Sequence, residues 1–359
     1  MYDPFIRGAA PVGVRSIELR GTRAGEVFTI EVWYPAAPRY RSLDLDTETS
    51  DAFSPAPGLP SARQNAVRDA MPEQGSRQLV MYFHGAYGHR RESSHVCTHL
   101  ASHGYVVAAP DFPGDNLKDT LPNEDGTQAK LATTPVDESA RSRPRQAVAA
   151  LDALLESARA VGLDIRSDRV GCFGNSMGGN TSLAVNSLDR RFAASFAMCP
   201  FYGTRGLVGL AGRLEDLLRV DDWGRAVPVL ILTGELDPFV ALPDMRDLHG
   251  KLRSPKRIAI LKRAGHVHFV DNAEAVHEGL RTWYMSGTFP DPELDTEALA
   301  KAMRPFRELC SEADGAAVAR TLCLAHMDAQ LKDDTAARAF LAGDLTATFT
   351  ARGIELEAA

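Results

Sequence analysis

Six nearly continuous apolar runs of strand length, separated by segments of helical pattern, limit what this chain can fold into. They are LVMYF (79–83), YVVAAP (105–110), VGCFG (170–174), ASFAMCP (194–200), VPVLILTG (227–234) and RIAILKR (257–263). A strand with one wet face alternates apolar and polar residues; a run without alternation is covered on both faces. Helical patterns follow Arg91, run from about Pro144 to Ala160, and begin just after Ser176 and near Leu242. Strand–helix alternation of this kind predicts a mostly parallel, doubly wound sheet. Two leading runs, VRSIELR and FTIEVWYP, do alternate and predict half-buried antiparallel strands. The expected class is therefore α/β, with eight strands flanked by helices.

A chain of 359 residues suggests one large domain or a domain with an extension. Its formal charge of −7 repels phosphate backbones, so no nucleic-acid partner is expected. The start, MYDPFIRGAAPVGVRS, shows no apolar stretch behind a basic end, and no run is long enough for a membrane span. Cys97, Cys172, Cys199, Cys310 and Cys323 are odd in number and lack metal-ligand spacing. Reduced, buried thiols and a cytoplasmic location are the expectation. Three segments break the strand–helix rhythm: 36–77 and 112–139, which are polar and turn-rich, and 273–359, which is mainly helical in pattern.

VGCFGNSMGGN (170–180) places Ser176 between Gly174 and Gly178, after a buried strand and before a helical pattern. A nucleophile lifted clear of a sheet on a strained turn needs tiny residues two before and two after it, because strand and helix nearly touch there. The alternative is a glycine-rich turn with Ser176 as a helix cap; the flanking strand and helix favour the nucleophile.

A serine hydroxyl needs an imidazole to take its proton and a carboxylate to fix the imidazole's tautomer. Asp237 follows the strand VPVLILTG on its loop, with Glu235 as the local competitor. IAILKRAGHVHFVDN leads from strand and turn to His266, with His268 two residues on as a residue supporting the site or lining its pocket. Acyl transfer also needs two backbone N–H donors for the developing oxyanion. Met177, next after the serine, supplies one, and Ala86 in FHGAYGHR the other, with Tyr87 lining the pocket.

These stretches carry a family likeness. VWYPA (32–36), FHGAYG (83–88), LASHGYVVAAPDFPGD (100–115), GNSMGG (174–179), GELDP (234–238) and GHVHFVD (265–271) resemble the α/β-hydrolase superfamily of serine esterases. The nearest branch holds platelet-activating-factor acetylhydrolases, dienelactone-hydrolase-like proteins and cutinase-like polyesterases. In the acetylhydrolases the catalytic histidine stands in an H-x-x-F-x-D pattern, which His266, Phe269 and Asp271 reproduce; the resemblance thus implies His266 over His268. Dienelactone hydrolases carry cysteine at the nucleophile position, where this chain has Ser176.

The resemblance implies a hydrolase core over 1–272, a helical insertion or cap over 273–320, and a closing core helix with the tail over 321–359. It implies a carboxylic-ester hydrolase without metal or cofactor, acting on a small-molecule or polymeric ester, with oligomeric state open. Thioester, lactone or amide cleavage, or a non-catalytic binding role, are the alternatives. His95, His99 and His103 fall on one helix face but have no carboxylate or cysteine partner placed nearby in sequence, and His266 and His268 have the H-x-H spacing of zinc ligands but belong to a full serine set. Arg141, Arg143 and Arg145 read as a solvated helix start.

Overall fold

The computed structural model describes residues 2–20, 27–56, 58–120, 136–203, 218–286 and 296–359. All eight expected strands form. The leading pair is β1 (Val12–Arg20) and β2 (Val27–Pro35). The parallel set is β6 (Ser76–Phe83), β7 (Val106–Pro110), β8 (Asp164–Asn175), β9 (Phe192–Met198), β10 (Val229–Gly234) and β11 (Lys256–Leu261). The main sheet has ten strands rather than eight, in the order β12-β11-β10-β9-β8-β6-β7-β2-β1-β5. The two additions are edge pieces, β5 (Val67–Arg68) beside β1 and β12 (Leu356–Ala358) antiparallel to β11. Neither is long enough to carry a periodic signal. Within 36–77, β3 (Ala52–Phe53) and β4 (Ala62–Arg63) form a small separate pair.

The sheet is covered on both faces, which explains the unbroken apolar runs. On β6, Leu79, Met81 and Phe83 join Leu151 and Leu154 of α2 (Val136–Ser157). The intervening Val80 and Tyr82 join Leu100 of α1 (Ser94–Ser102) and Leu322 of the long C-terminal helix Glu312–Leu331. Each such side chain contributes about 1.5–3 kcal/mol when taken fully out of water. The C-terminal helix lies so close to β8 that a Cβ on Gly171 would come within 2.5 Å of Met327 Sδ.

α2 starts eight residues before Pro144, so that proline is interior to the helix rather than in its first turn. The first two turns are mostly polar and carry no apolar stripe, so their helicity has no periodic signature. α3 (Met177–Leu188) and α4 (Leu242–Lys251) form where expected. The remaining helices are α5 (Ala273–Met285), α6 (Thr296–Ala302), α7 (Glu312–Leu331), α8 (Thr335–Ala342) and α9 (Leu345–Thr350). α7 begins at a capping box made by Ser311 and Asp314 and crosses residue 320 as one helix. Among the described helices none is long and apolar enough to cross a membrane.

The strand order reverses at β6 and β8: the chain winds outward to β7 from β6 and in the opposite sense from β8 to β11. A crevice opens at the carboxyl ends of strands at such a reversal. The loop after β6 and the turn after β8 meet there.

Candidate active site

Ser176 follows β8 with φ +57° and ψ −119°, a strained conformation for a side chain bearing a Cβ. A Cβ on Gly174 would lie 2.3 Å from the Gly178 carbonyl oxygen, and one on Gly178 would lie 1.8 Å from the Phe83 oxygen. Only glycine fits at either place, so the two flanking glycines are what lets the elbow form.

Ser176 Oγ is 2.9 Å from His266 Nε2, and His266 Nδ1 is 2.6 Å from Asp237 Oδ2. Asp237 Oδ1 accepts the backbone N–H groups of Phe239 and Val240 at 2.8 and 3.1 Å. The carboxylate therefore has a fixed orientation, and it holds the imidazole with Nδ1 protonated and Nε2 open to the serine proton. All three side chains are buried, Ser176 with 7% of its surface exposed. Glu235, the competing acid, instead pairs with Lys262 at 3.2 Å, away from His266.

His268 is not brought to Ser176. It is fully buried, its Nδ1 accepts the Gly265 N–H at 2.9 Å, and its Nε2 lies 3.3 Å from the Cys310 carbonyl. Its ring stacks on Phe306 at 4.8 Å, and burial pushes its pKa down to about 4. It is a neutral ring that pins the loop carrying His266.

Met177 N–H opens α3 beside the serine, and Ala86 follows Gly85 in the loop after β6. Among the described residues neither N–H donates to a protein acceptor, as an oxyanion site requires. Tyr87, at φ +55°, donates its N–H to Asp115 Oδ1 at 2.9 Å. Aromatic rings surround the imidazole: Phe239 stacks on His266 at 4.6 Å, Phe201 lies at 5.7 Å, and Tyr284 of α5 sits 6.0 Å from Phe239.

Arg143, expected on a solvated helix start, has no exposed surface. Its guanidinium donates to the His84 carbonyl at 2.6 Å, the Gly85 carbonyl at 2.9 Å and the Asp115 carbonyl at 3.0 Å, and pairs with Asp115 Oδ2 at 2.7 Å. Asp115 in turn accepts from Ser139. One buried cation thus fixes the backbone on both sides of the Ala86 donor. The sequence holds no periodic signal for this, because the acceptors lie 28 to 59 residues away.

The three helix histidines also have partners that spacing does not show. Asp271, last residue of the H-x-x-F-x-D pattern, accepts from the backbone N–H of Ser94 and His95, and its Oδ1 lies 2.5 Å from His95 Nδ1. Burial works against its charge, but His95 and Ser94 outweigh that and hold the carboxyl below its usual range. His99 and His103 donate to the carbonyls of Pro4 and Ile6, at 3.0 and 2.9 Å. All five cysteines are free and buried. Cys199, Asp237 and His266 place potential metal-ligand atoms within 4.8 Å of one another. A cation there would have to break the Asp237–His266 bond and take the proton of Cys199, whose thiol burial pushes well above its ordinary value.

A serine on a strained elbow at a sheet's reversal point, bonded to a histidine and then an aspartate, is the architecture of an α/β-hydrolase. The sequence model of the dienelactone hydrolase family matches residues 66–302, and the chain belongs to that family. Among curated proteins it is similar to the chloroplastic chlorophyllase-1 of Citrus unshiu and of Citrus sinensis. Each is 24% identical over 193 residues, covering 54% of this chain and 51% of the relative. The chain thus aligns over about half the length of those curated relatives. Among solved structures it is similar to a ferulic acid esterase from Streptomyces cinnamoneus, with a TM-score of 0.60 and 21% identity. That match covers 90% of this chain and 91% of the other, and at such identity it shows the fold.

Proposed function

We propose that this protein is a carboxylic-ester hydrolase that works through an acyl-enzyme on Ser176. His266 takes the serine proton as Oγ attacks the acyl carbon, and Asp237 stabilises the imidazolium. The Ala86 and Met177 N–H groups hold the oxyanion. His266 returns its proton to the leaving alcohol, and water repeats the steps on the acyl-enzyme. The observation that carries this reading is the continuous chain of hydrogen bonds from Ser176 Oγ through His266 to Asp237. The names of the ferulic acid esterase and chlorophyllase relatives support ester cleavage.

Phe239 and Phe201 pack against the His266 ring and Tyr284 lies beside Phe239, so the part of the ester seated next to the imidazole is apolar in this reading. Tyr284 makes α5, the first helix of the 273–320 segment, part of the proposed cover over the site. Treatment with a fluorophosphonate is expected to label Ser176 alone, and Ser176→Ala is expected to lose labelling and turnover of p-nitrophenyl esters. A well-folded wild-type chain that resists labelling would sink the mechanism. A parallel panel of thioesters, lactones and anilides ranks the remaining acyl chemistries by kcat/KM.

A further inference from the structure

Glu92 has no part in the proton relay, yet it touches all three loops of the site. Its Oε2 accepts the Gly85 N–H at 3.1 Å, one residue before the Ala86 donor. Its carboxyl also faces the side chain of Asn175, the residue before Ser176. Its main-chain carbonyl accepts the N–H of Asp271, on the loop that carries His266, at 2.8 Å. The carboxyl fills the hollow of the Gly85–Gly88 turn: a Cβ on Gly88 would lie 1.9 Å from Oε2. One on Gly85 would stand between Oε1 at 3.2 Å and Ser176 Cβ at 3.7 Å.

We propose that Glu92 is a positioning residue of the oxyanion hole, its carboxyl clamping Gly85 to the nucleophile elbow and working as an uncharged acid. This rests on the esterase reading. A carboxylate one residue from the oxyanion donor would face the negative charge that develops in the transition state, in surroundings that screen poorly. A carboxylic acid keeps a carbonyl oxygen for Gly85 and adds no charge. Asn175 suits either form: its Oδ1 is buried without a partner, and an amide can turn either edge to the carboxyl.

The Gly85 and His89 N–H groups, Asn175 and Arg143 favour the ionised form of Glu92, and burial outweighs them. From α2 comes Arg143, already paired with Asp115; from β6 comes Tyr82, a neutral phenol that burial holds well above its ordinary pKa. From its own loop comes His89, which burial pushes down to about 4, and from the His266 loop comes Asp271, paired with His95. Desolvation pushes Glu92 itself up to about 7, against the hydrogen bonds from Gly85 and the charge of Arg143.

The test compares the wild-type chain with Glu92→Gln and Glu92→Ala on a p-nitrophenyl ester between pH 5 and 9, with glycine labelled by 15N. Wild-type kcat is expected to fall above pH 7. Glu92→Gln keeps an acceptor for Gly85 and cannot ionise, so its kcat at pH 9 should exceed the wild type's by about threefold or more. Glu92→Ala should lower kcat by roughly tenfold or more at unchanged KM, since the lost contact acts on the transition state. The Gly85 amide resonance should titrate near pH 7 in the wild type and stay fixed in Glu92→Gln, a readout that needs no turnover. A Gly85 resonance that is static in the wild type, or a falling limb retained in Glu92→Gln, overturns the proposal. A chain that cleaves no ester but shows the Gly85 titration sinks the esterase reading and leaves the clamp standing.

Discussion

At the scale of single residues, Asp237 shows how backbone donors can decide a side chain's chemistry. Its Oδ1 is held by two N–H groups, from Phe239 and Val240, and only Oδ2 reaches His266. In Asp237→Asn the amide oxygen must stay with those two donors, which turns the NH2 toward His266 Nδ1. The imidazole then carries its proton on Nε2 and cannot accept one from Ser176. A kcat loss of about 10⁴ is expected, as for the same change in a serine protease triad, with thermal stability nearly unchanged. Measuring kcat beside a melting curve checks this; a variant within tenfold of wild type would show that His266 does not act as the base.

At the scale of elements, the loop after β6, with the proposed oxyanion donor Ala86, is held by α2 through one arginine. Arg143→Met leaves the Asp115 carboxylate buried without its cation, an uncompensated charge that costs about 3–5 kcal/mol. It also frees the His84 and Gly85 carbonyls, so kcat should fall along with stability. Arg143→Lys keeps the charge but cannot span three carbonyls and a carboxylate from a single nitrogen. It is expected to recover stability in urea unfolding more than it recovers kcat. Equal recovery of both would mean that Arg143 acts on the fold and not on the loop.

The same helix marks where sequence reading stops. The six parallel strands were legible because burial on both faces leaves unbroken apolar runs, and Ser176, Asp237 and His266 were legible because each follows such a run. Arg143 and Glu92 were not, since a charged residue looks the same in sequence whether water or a distant carbonyl receives it. The signal that could have found Arg143 is the clash between a basic residue and the buried helix face it shares with Ala140 and Ala147. For Glu92 there was only its place between a glycine-rich turn and a helix. The edge strands β5 and β12 are too short for period-2 alternation and are defined by their neighbours alone.

At the scale of the whole molecule, folding takes several imidazoles out of water as neutral rings. Burial pushes His89, His268 and His326 down to about 4 and His99 to about 3. In the unfolded chain each would titrate near 6.5. Between those values the unfolded chain binds more protons than the folded one, so stability must drop as pH falls from about 6.5 toward 4. Glu92 acts in the opposite sense: its pKa rises on folding, so its contribution weakens stability as pH rises from about 4.5 to 7. Four histidines outweigh one glutamate, and His84, also pushed well below its ordinary value, adds to their side. The expected result is a melting temperature that falls by about 4 °C between pH 7 and pH 5, corresponding to about 3 kcal/mol for a chain of this size. His268→Phe and His326→Phe, each replacing a buried neutral ring with one that cannot take a proton, should flatten that slope. A melting temperature level across pH 5–7 in the wild type would mean that these rings find water or a counter-charge when protonated, and with it a looser core around α7 than the packing describes.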